Sequence, residues 1–373
     1  MALRRRPGRR TGRPDRLTGP ADRGDGEHAC PEDSAPPPGP SDAAAETENS
    51  NGSRGAALVR GVGVPALVAT VVGLAFVMVF LDAFHAAVPH DLPVAVVGSS
   101  QQVESVAGTL EEQSPGRLAV RSLPDEAVAR DAVRQAEVYG ALLLDGPQPR
   151  LLVAGAHGQG VTQTLTQAFG PIAEGLQVVD LQPLSAGDSR GLGIFYSAFG
   201  VVLGGFLFGI SSYQAAPKLP LRWRVVSILL FATVSGLLVA WAAGVLFDAV
   251  PAGFWTLALL VGLLALAVAA PAALVLRVIG SGGTFVTSIG LIILGNATST
   301  GNLPAEYLPP WMQPLAGVLP PGVAVRALRG AAYFEDDGVV RALWVLGSWS
   351  IVPLLLIAVL DAVRRRRPAT PGR

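Results

Sequence analysis

The chain has 373 residues but only one cysteine, one lysine and four histidines. The lone Cys30 excludes a disulfide within the chain and any cysteine-built metal centre. The lone Lys218 excludes a nucleotide-hydrolysing phosphate loop, which needs a lysine directly behind its glycines. Gly98-Ser99-Ser100 and the turn Gly155-Ala156-His157-Gly158-Gln159-Gly160 are the nearest candidates, and no lysine follows either. They read as turns, and the chain is not expected to hydrolyse ATP itself. No histidine follows His157, so Ser189 in Gly187-Asp188-Ser189-Arg190-Gly191 lacks the base that a serine nucleophile needs. That glycine-flanked stretch reads instead as a flexible joint. No catalytic residue is expected.

Charge is scarce as well, at 15% of residues, and it is absent from six long apolar stretches. These run over residues 61–81, 191–212, 225–247, 253–276, 278–298 and 342–360. Each is close to the roughly 20 residues that a helix needs to cross the bilayer hydrocarbon. A soluble protein's apolar residues would be broken up at helix or strand periods. The expected fold class is therefore an α-helical polytopic membrane protein with six transmembrane helices. The absence of charge within the spans also counts against an ion-coupled carrier, which normally keeps an ionisable side chain within the bilayer.

The net charge is zero, but the charges are segregated. Residues 1–24 carry eight arginines, and Arg364–Arg367 closes the last apolar stretch. Residues 82–190 hold more acidic than basic side chains. Basic residues favour the cytoplasmic side. Residues 1–55, polar and rich in proline, read as a disordered cytoplasmic tail. Residues 61–81 read as an uncleaved anchor that exports 82–190. Lys218, Arg222 and Arg224 fit a cytoplasmic loop, and 362–373 a basic cytoplasmic tail. Both termini are then cytoplasmic in a bacterial plasma membrane. The bacterial origin is suggested by the dominance of arginine, alanine, glycine and proline. One segment resists this pattern. Residues 300–341 would lie outside, yet they hold Arg326, Arg329 and Arg341. Stretch 278–298 is also weak, since it opens on Gly280-Ser281-Gly282-Gly283 and ends on Asn296-Ala297-Thr298. It invites a broken or re-entrant element.

The exported residues 82–190 read as an inserted extracytoplasmic α/β domain. Strands are expected at Pro93–Val97, Leu118–Leu123, Tyr139–Leu144, Arg150–Val153 and Val178–Leu181, by apolar runs or alternation bounded by turn residues. Helices are expected over Gln101–Glu112, Asp125–Val138 and Val161–Leu176, by apolar residues at helical spacing. The turn Asp145-Gly146-Pro147 predicts a hairpin between the third and fourth strands. Asp82, His85, His90 and Asp91 have metal-ligand chemistry, but His90 lies beyond Pro89, so the four do not share a helical face. A polar interfacial cap is the plainer reading. His157 is expected to face solvent. No metal or cofactor is expected, and nothing points to a nucleic-acid partner.

Two constellations suggest contact surfaces. Gly200 and Gly204, then Gly205 and Gly209, are spaced four apart and would let helices approach closely, within the bundle or in a homodimer. The loop containing Tyr213, Lys218, Arg222, Trp223 and Arg224 is a topology anchor that could also dock a cytoplasmic partner.

The segment from Gly295 and Asn296 through Gly301, Pro304, Pro309, Pro310 and Trp311 continues to Pro320, Pro321, Gly322, Arg326 and Arg329. It resembles the segment before the last span in the type-2 ABC-transporter permease superfamily, and more narrowly the phage-infection-protein-like membrane proteins within it. The order of one span, an external α/β domain and five spans is also similar. The resemblance implies a permease-like membrane subunit of an exporter that moves a hydrophobic or amphiphilic substrate. A separate ABC ATPase would power it through the 211–224 loop, and it would act as a dimer or pseudo-dimer. The Pro-rich segment Leu303–Leu328 resembles the external re-entrant helices of that family, and Val323, Ala324, Ala327 and Leu328 with Arg326 and Arg329 suit a helix lying at the interface. The alternative is a non-transporting binding or scaffold protein of the cell envelope. Membrane lipid is a partner in either case.

Overall fold

The computed structural model describes residues 59–301 and 303–366. The expected tail 1–55 and the end of the basic tail, 367–373, lie outside the described residues. The elements named below belong to one compact unit, which begins at Val62.

Helix predominates. After α1 (Val64–Phe84) comes an α/β portion: β1 (Leu92–Val97), α2 (Ser100–Gln113), β2 (Leu118–Leu123), α3 (Glu126–Arg134), β3 (Gly140–Leu143), β4 (Arg150–Val153), α4 (Gln159–Phe169) and β5 (Gln177–Asp180). The sheet order is β2-β1-β3-β4-β5. The β3–β4 pair is the expected antiparallel hairpin, and the other neighbours are parallel. Alternation along β1 divides the core into two layers. Leu92, Val94 and Val96 pack with Val106, Leu110, Leu165 and Phe169 of α2 and α4. Ala95 and Val97 pack on the other face with Ala129 and Val133 of α3. Helix starts are set locally. Ser99 and Gln102 form a capping box, and the Asp125 carboxylate accepts from the Val128 N–H.

The remaining elements build a bundle: α5 (Gly193–Ala215), α6 (Leu221–Ala240, continued by a π-turn to Leu246), α7 (Phe254–Ile279), α8 (Gly283–Ala297), the short α9 (Gln313–Ala316), α10 (Pro320–Tyr333) and α11 (Val339–Arg366). Five helices are long and apolar enough to cross a membrane: Gly61–Phe84, Gly193–Ala215, Leu221–Leu246, Phe254–Ile279 and Val339–Val363. The central helix is α7. Leu257, Leu260, Leu264 and Leu276 are fully buried in it, and α5, α6, α10 and α11 pack around it.

The stretch expected at 278–298 is the exception. Helix α7 runs on to Ile279 and stops at Gly280, whose φ of +74° suits a residue without Cβ. A 3-10 turn follows at Gly280–Gly282, and then α8, whose Ser288–Leu294 portion is π-wound. Its 15 residues would reach about 22 Å at ideal helical rise. Its far end is covered by protein, with Asn296, Thr298, Ser299 and Thr300 buried. The hydroxyls of Thr298 and Ser299 and the Asn296 amide donate to backbone carbonyls nearby.

Contacts mark two ends of the bundle. At one end Ala83 packs with Ala297, Leu308 and Met312, Ser185 Oγ donates to the Ala249 carbonyl, and the Phe195 ring faces Gly301. The α/β portion lies at this end, where the His90 N–H donates to the Glu306 carbonyl. At the other end Arg277 pairs with Asp361 at 2.6 Å and donates to the Pro217 carbonyl. Gly283 sits against the Val275 carbonyl near this second end. Helix α8 therefore connects the same two ends as the long helices.

Three expectations need correction. The Gly187 joint is tight, because a Cβ there would strike the carbonyls of Phe247 and Asp248. Helix α10 does not lie along a lipid interface. Val323, Ala324, Val325, Ala327, Leu328 and Arg329 are buried, since both the bundle and the α/β portion cover it. His157 is likewise enclosed rather than exposed, for reasons given below.

Candidate functional site

A cavity of about 280 Å³ lies where the α/β portion meets α10. Tyr139, at the entry to β3, and His157, in the 3-10 turn Gly155–His157 after β4, contribute from the α/β side. Glu306 comes from the turn Ala305–Tyr307, Arg326 and Arg329 from α10, Asp337 from the loop after it and Arg341 from α11. The register of α10 explains the arginine pair. Residues three apart on a helix share a face, so both reach the same space.

Most of these groups have partners. Tyr139 Oη donates to Glu306 Oε2 at 2.9 Å. Arg326 Nε donates to Asp337 Oδ2 at 3.1 Å. Arg341 donates to the Gly317 carbonyl at 2.9 Å. Arg329 differs. It donates to the Gly301 carbonyl at 2.7 Å, yet no described carboxylate pairs with it. The nearby Asp188 is already engaged by the N–H groups of Leu192 and Gly193 at the start of α5. A buried ion without a counter-ion costs on the order of several kcal/mol. Burial accordingly holds the Arg329 pKa below the usual arginine value.

His157 is 4% exposed, and its Nε2 has no hydrogen-bond partner among the described residues. Its ring stacks on Phe334 (4.3 Å between centroids, 17°) and meets the edge of Tyr139 at 4.5 Å. Burial, reinforced by the charges of Arg329 and Arg326, lowers its pKa to about 3, so the ring is neutral. Burial, with the Glu306 charge, pushes the Tyr139 phenol well above its ordinary value. For Arg326 burial acts downward, but the hydrogen bond and charge of Asp337 outweigh it and hold the proton more firmly. The lining thus carries three guanidinium groups against two carboxylates, and both carboxylates are engaged. An excess of positive charge faces the cavity.

The sequence-derived candidates are distributed unevenly about this site. Arg326, Arg329, Pro304 and Gly322 line the cavity. Gly322 is required by close approach, since a Cβ would meet the Ala316 and Thr298 carbonyls. Gly301 has φ +51° and supplies the carbonyl for Arg329. Pro320 and Pro321 open α10, where missing N–H groups cost nothing, and Pro321 packs on Gly295. Asn296 lies at the end of α8. Pro309 and Pro310 lead to Trp311, whose Nε1 donates to Asp82 Oδ2 at 3.1 Å. The four residues with metal-ligand chemistry have separate surroundings. Asp82 meets Trp311, His85 meets the Leu81 carbonyl, His90 meets the Glu306 carbonyl, and the Asp91 N–H donates to the Gly116 carbonyl.

At the opposite end Lys218, Arg222 and Trp223 are exposed and Tyr213 is half-buried. Arg224 is turned inward, donating to the Ala216 carbonyl at 2.9 Å, so it closes the loop rather than presenting a charge. Of the glycine pairs, Gly205 and Gly209 sit against Val268 and Ala272 of α7, where a Cβ would come within 2.9 Å. A Cβ on Gly204 would make only ordinary contact with Phe231, and Gly200 faces open space. The same small-residue spacing in Gly236, Ala240 and Gly244 also marks a seam, and a Cβ on Gly236 would strike the Ala258 carbonyl, so the α6–α7 contact is as tight as that of Gly205. Sequence reasoning missed Tyr139, Glu306, Asp337 and Arg341 as site residues. Only the unexplained arginines in an external loop hinted at them. Compared with family models, with curated proteins and with solved structures, the chain matches none.

Proposed function

We propose that this chain is a six-crossing membrane protein working as the permease-like subunit of a type-2 ABC exporter. The α/β portion and residues 300–341 lie outside the cell, and both termini lie in the cytoplasm of a bacterial plasma membrane. The observation that carries this reading is the course of α8. It starts beside Val275, near the Arg277–Asp361 end, and finishes beside Ala83 at the other. That course supports reading it as a sixth crossing beside the five helices long and apolar enough to span. Lys218, Arg222, Arg224 and Arg277 gather at the end opposite the α/β portion, which is the cytoplasmic end by the basic-residue rule. The arginines that oppose this rule, Arg326, Arg329 and Arg341, are drawn into the cavity and so are accounted for by the site. A short, broken crossing capped by a buried helix that opens on two prolines suits a moving gate, since irregular backbone at membrane depth is tolerated only where protein or water covers it.

Export would be powered by a separate ATPase docked at Lys218, Arg222 and Trp223. Capture of the full chain from membranes should bring down an ATPase. Changing those three residues to alanine together should lower the co-purified ATPase at least fivefold while the chain still reaches the membrane. An unchanged yield would reject the docking loop, and no ATPase with the unmodified chain would reject the exporter.

A second reading is favoured by the location of the cavity. The cavity lies at the α/β junction, whereas the centre of the bundle is filled by Leu257, Leu260 and Leu264. That arrangement suits a non-transporting envelope protein that binds its ligand at the outer face. The absence of an ATPase together with retained ligand binding would select it.

A further inference from the structure

Three observations converge on the same cavity. The Arg329 guanidinium is buried, lines it and has no described counter-ion, with one protein acceptor for five N–H donors. His157 also lines it, and its buried Nε2 has no partner among the described residues. The two carboxylates there are already held by Tyr139 and Arg326, so they do not neutralise Arg329. The cavity is larger than a bare inorganic anion needs, and Phe334 with the Tyr139 ring gives part of it an apolar, aromatic wall.

We propose that this cavity binds a phosphate or carboxylate group, with Arg329 as its charge partner and His157 Nε2 as a second hydrogen-bond donor. The guanidinium presents a planar fork that matches either anion. Neutral His157 carries one ring N–H, and in the tautomer protonated on Nε2, which has no partner among the described residues, it can donate to the anion. Arg341, whose partner among the described residues is a backbone carbonyl, adds long-range attraction from the cavity rim. The aromatic wall takes the carbon attached to the anion. Phosphate and carboxylate reach such a site from two sources, a lipid headgroup or a free small molecule. The proposal rests on the junction being an outward-facing site, but on no partner ATPase, so failure to capture an ATPase leaves it standing.

The test uses the full chain in nanodiscs of zwitterionic phosphatidylcholine, titrated calorimetrically with inorganic phosphate, glycerol 3-phosphate and hexanoate. A parallel arm measures by native mass spectrometry whether phosphatidylglycerol is retained when it is mixed into the nanodiscs. Saturable binding of a soluble probe supports a free anion as ligand, and retention of phosphatidylglycerol alone supports a headgroup. In either case Arg329→Gln should weaken binding at least tenfold and His157→Gln about threefold or more. The melting temperature of the unliganded Arg329→Gln protein should be unchanged or higher, because an unpaired buried charge has been removed. Should Arg329→Gln fail to fold, His157→Gln and Arg341→Gln decide. No saturable binding in either arm, or binding that these variants leave intact, overturns the proposal.

Discussion

Arg329 and His157 are buried in the same cavity, with different consequences. Arg329 stays charged at a cost, whereas His157 avoids the cost by remaining neutral, with its pKa lowered to about 3. A free histidine titrates near 6.5, so between roughly pH 6.5 and pH 3 the unfolded chain holds a proton that the folded chain does not. Stability is then full above pH 6.5 and falls as pH drops through that window, by about 1.4 kcal/mol per unit at most. Tyr139 and Phe334 face the ring, and burial together with the charges of Arg329 and Arg326 disfavours an imidazolium there. His157→Phe keeps the stacking and abolishes the titration. Between pH 7.5 and pH 5 the unmodified chain should lose about 2 kcal/mol more stability than the variant, read as a larger fall in melting temperature. Equal falls would show that the ring is not held neutral.

At the scale of elements, much of the α/β portion was legible because its signals are local. Alternation in Leu118–Leu123, the turn Asp145-Gly146-Pro147 and the helical spacing of Ala127, Val128, Ala132 and Val133 lie within a few residues of the structures they specify, although Ala127 and Val128 are exposed and Ala129 completes the buried face of α3. The cavity was not legible. Tyr139 and Glu306 are 167 positions apart, and sequence periodicity cannot bring them together. His157 shows the same limit. A polar residue in a glycine-rich turn reads as exposed until α10 and Phe334 close over it. Helix contacts fall between these extremes, since four-residue glycine spacing signals close approach without saying which pair makes it. Gly205→Val would force its side chain against Val268, which is β-branched and stiff, and should destabilise the bundle by about 1–3 kcal/mol. Gly200→Ala meets nothing within 4 Å and should be neutral or stabilising by up to about 1 kcal/mol, as glycine is a poor helix former. Thermal unfolding of both variants in detergent checks the pair. Equal effects would mean that the α5–α7 seam is not where Gly205 places it.

For the whole molecule the question is sidedness. The basic residues of the α5–α6 loop and the Arg277–Asp361 pair mark one end of the bundle, and the cavity with the α/β portion marks the other. An odd number of crossings would put residues 300–341 and 92–180 on different sides of the membrane. The hydrogen bonds from His90 and Tyr139 to Glu306 require the same side. In the proposed orientation Arg326, Arg329 and Arg341 lie outside despite their charge, with the loop carbonyls and Asp337 as their partners. The most direct measurement is cysteine accessibility in intact cells. Single cysteines at the exposed positions Gln148, Lys218 and Glu335, in a chain with Cys30→Ser, are exposed to a membrane-impermeant maleimide. Labelling of positions 148 and 335 together, with position 218 reached only after the membrane is opened, is the predicted result. Labelling of position 218 from outside, or opposite behaviour of positions 148 and 335, would contradict the account.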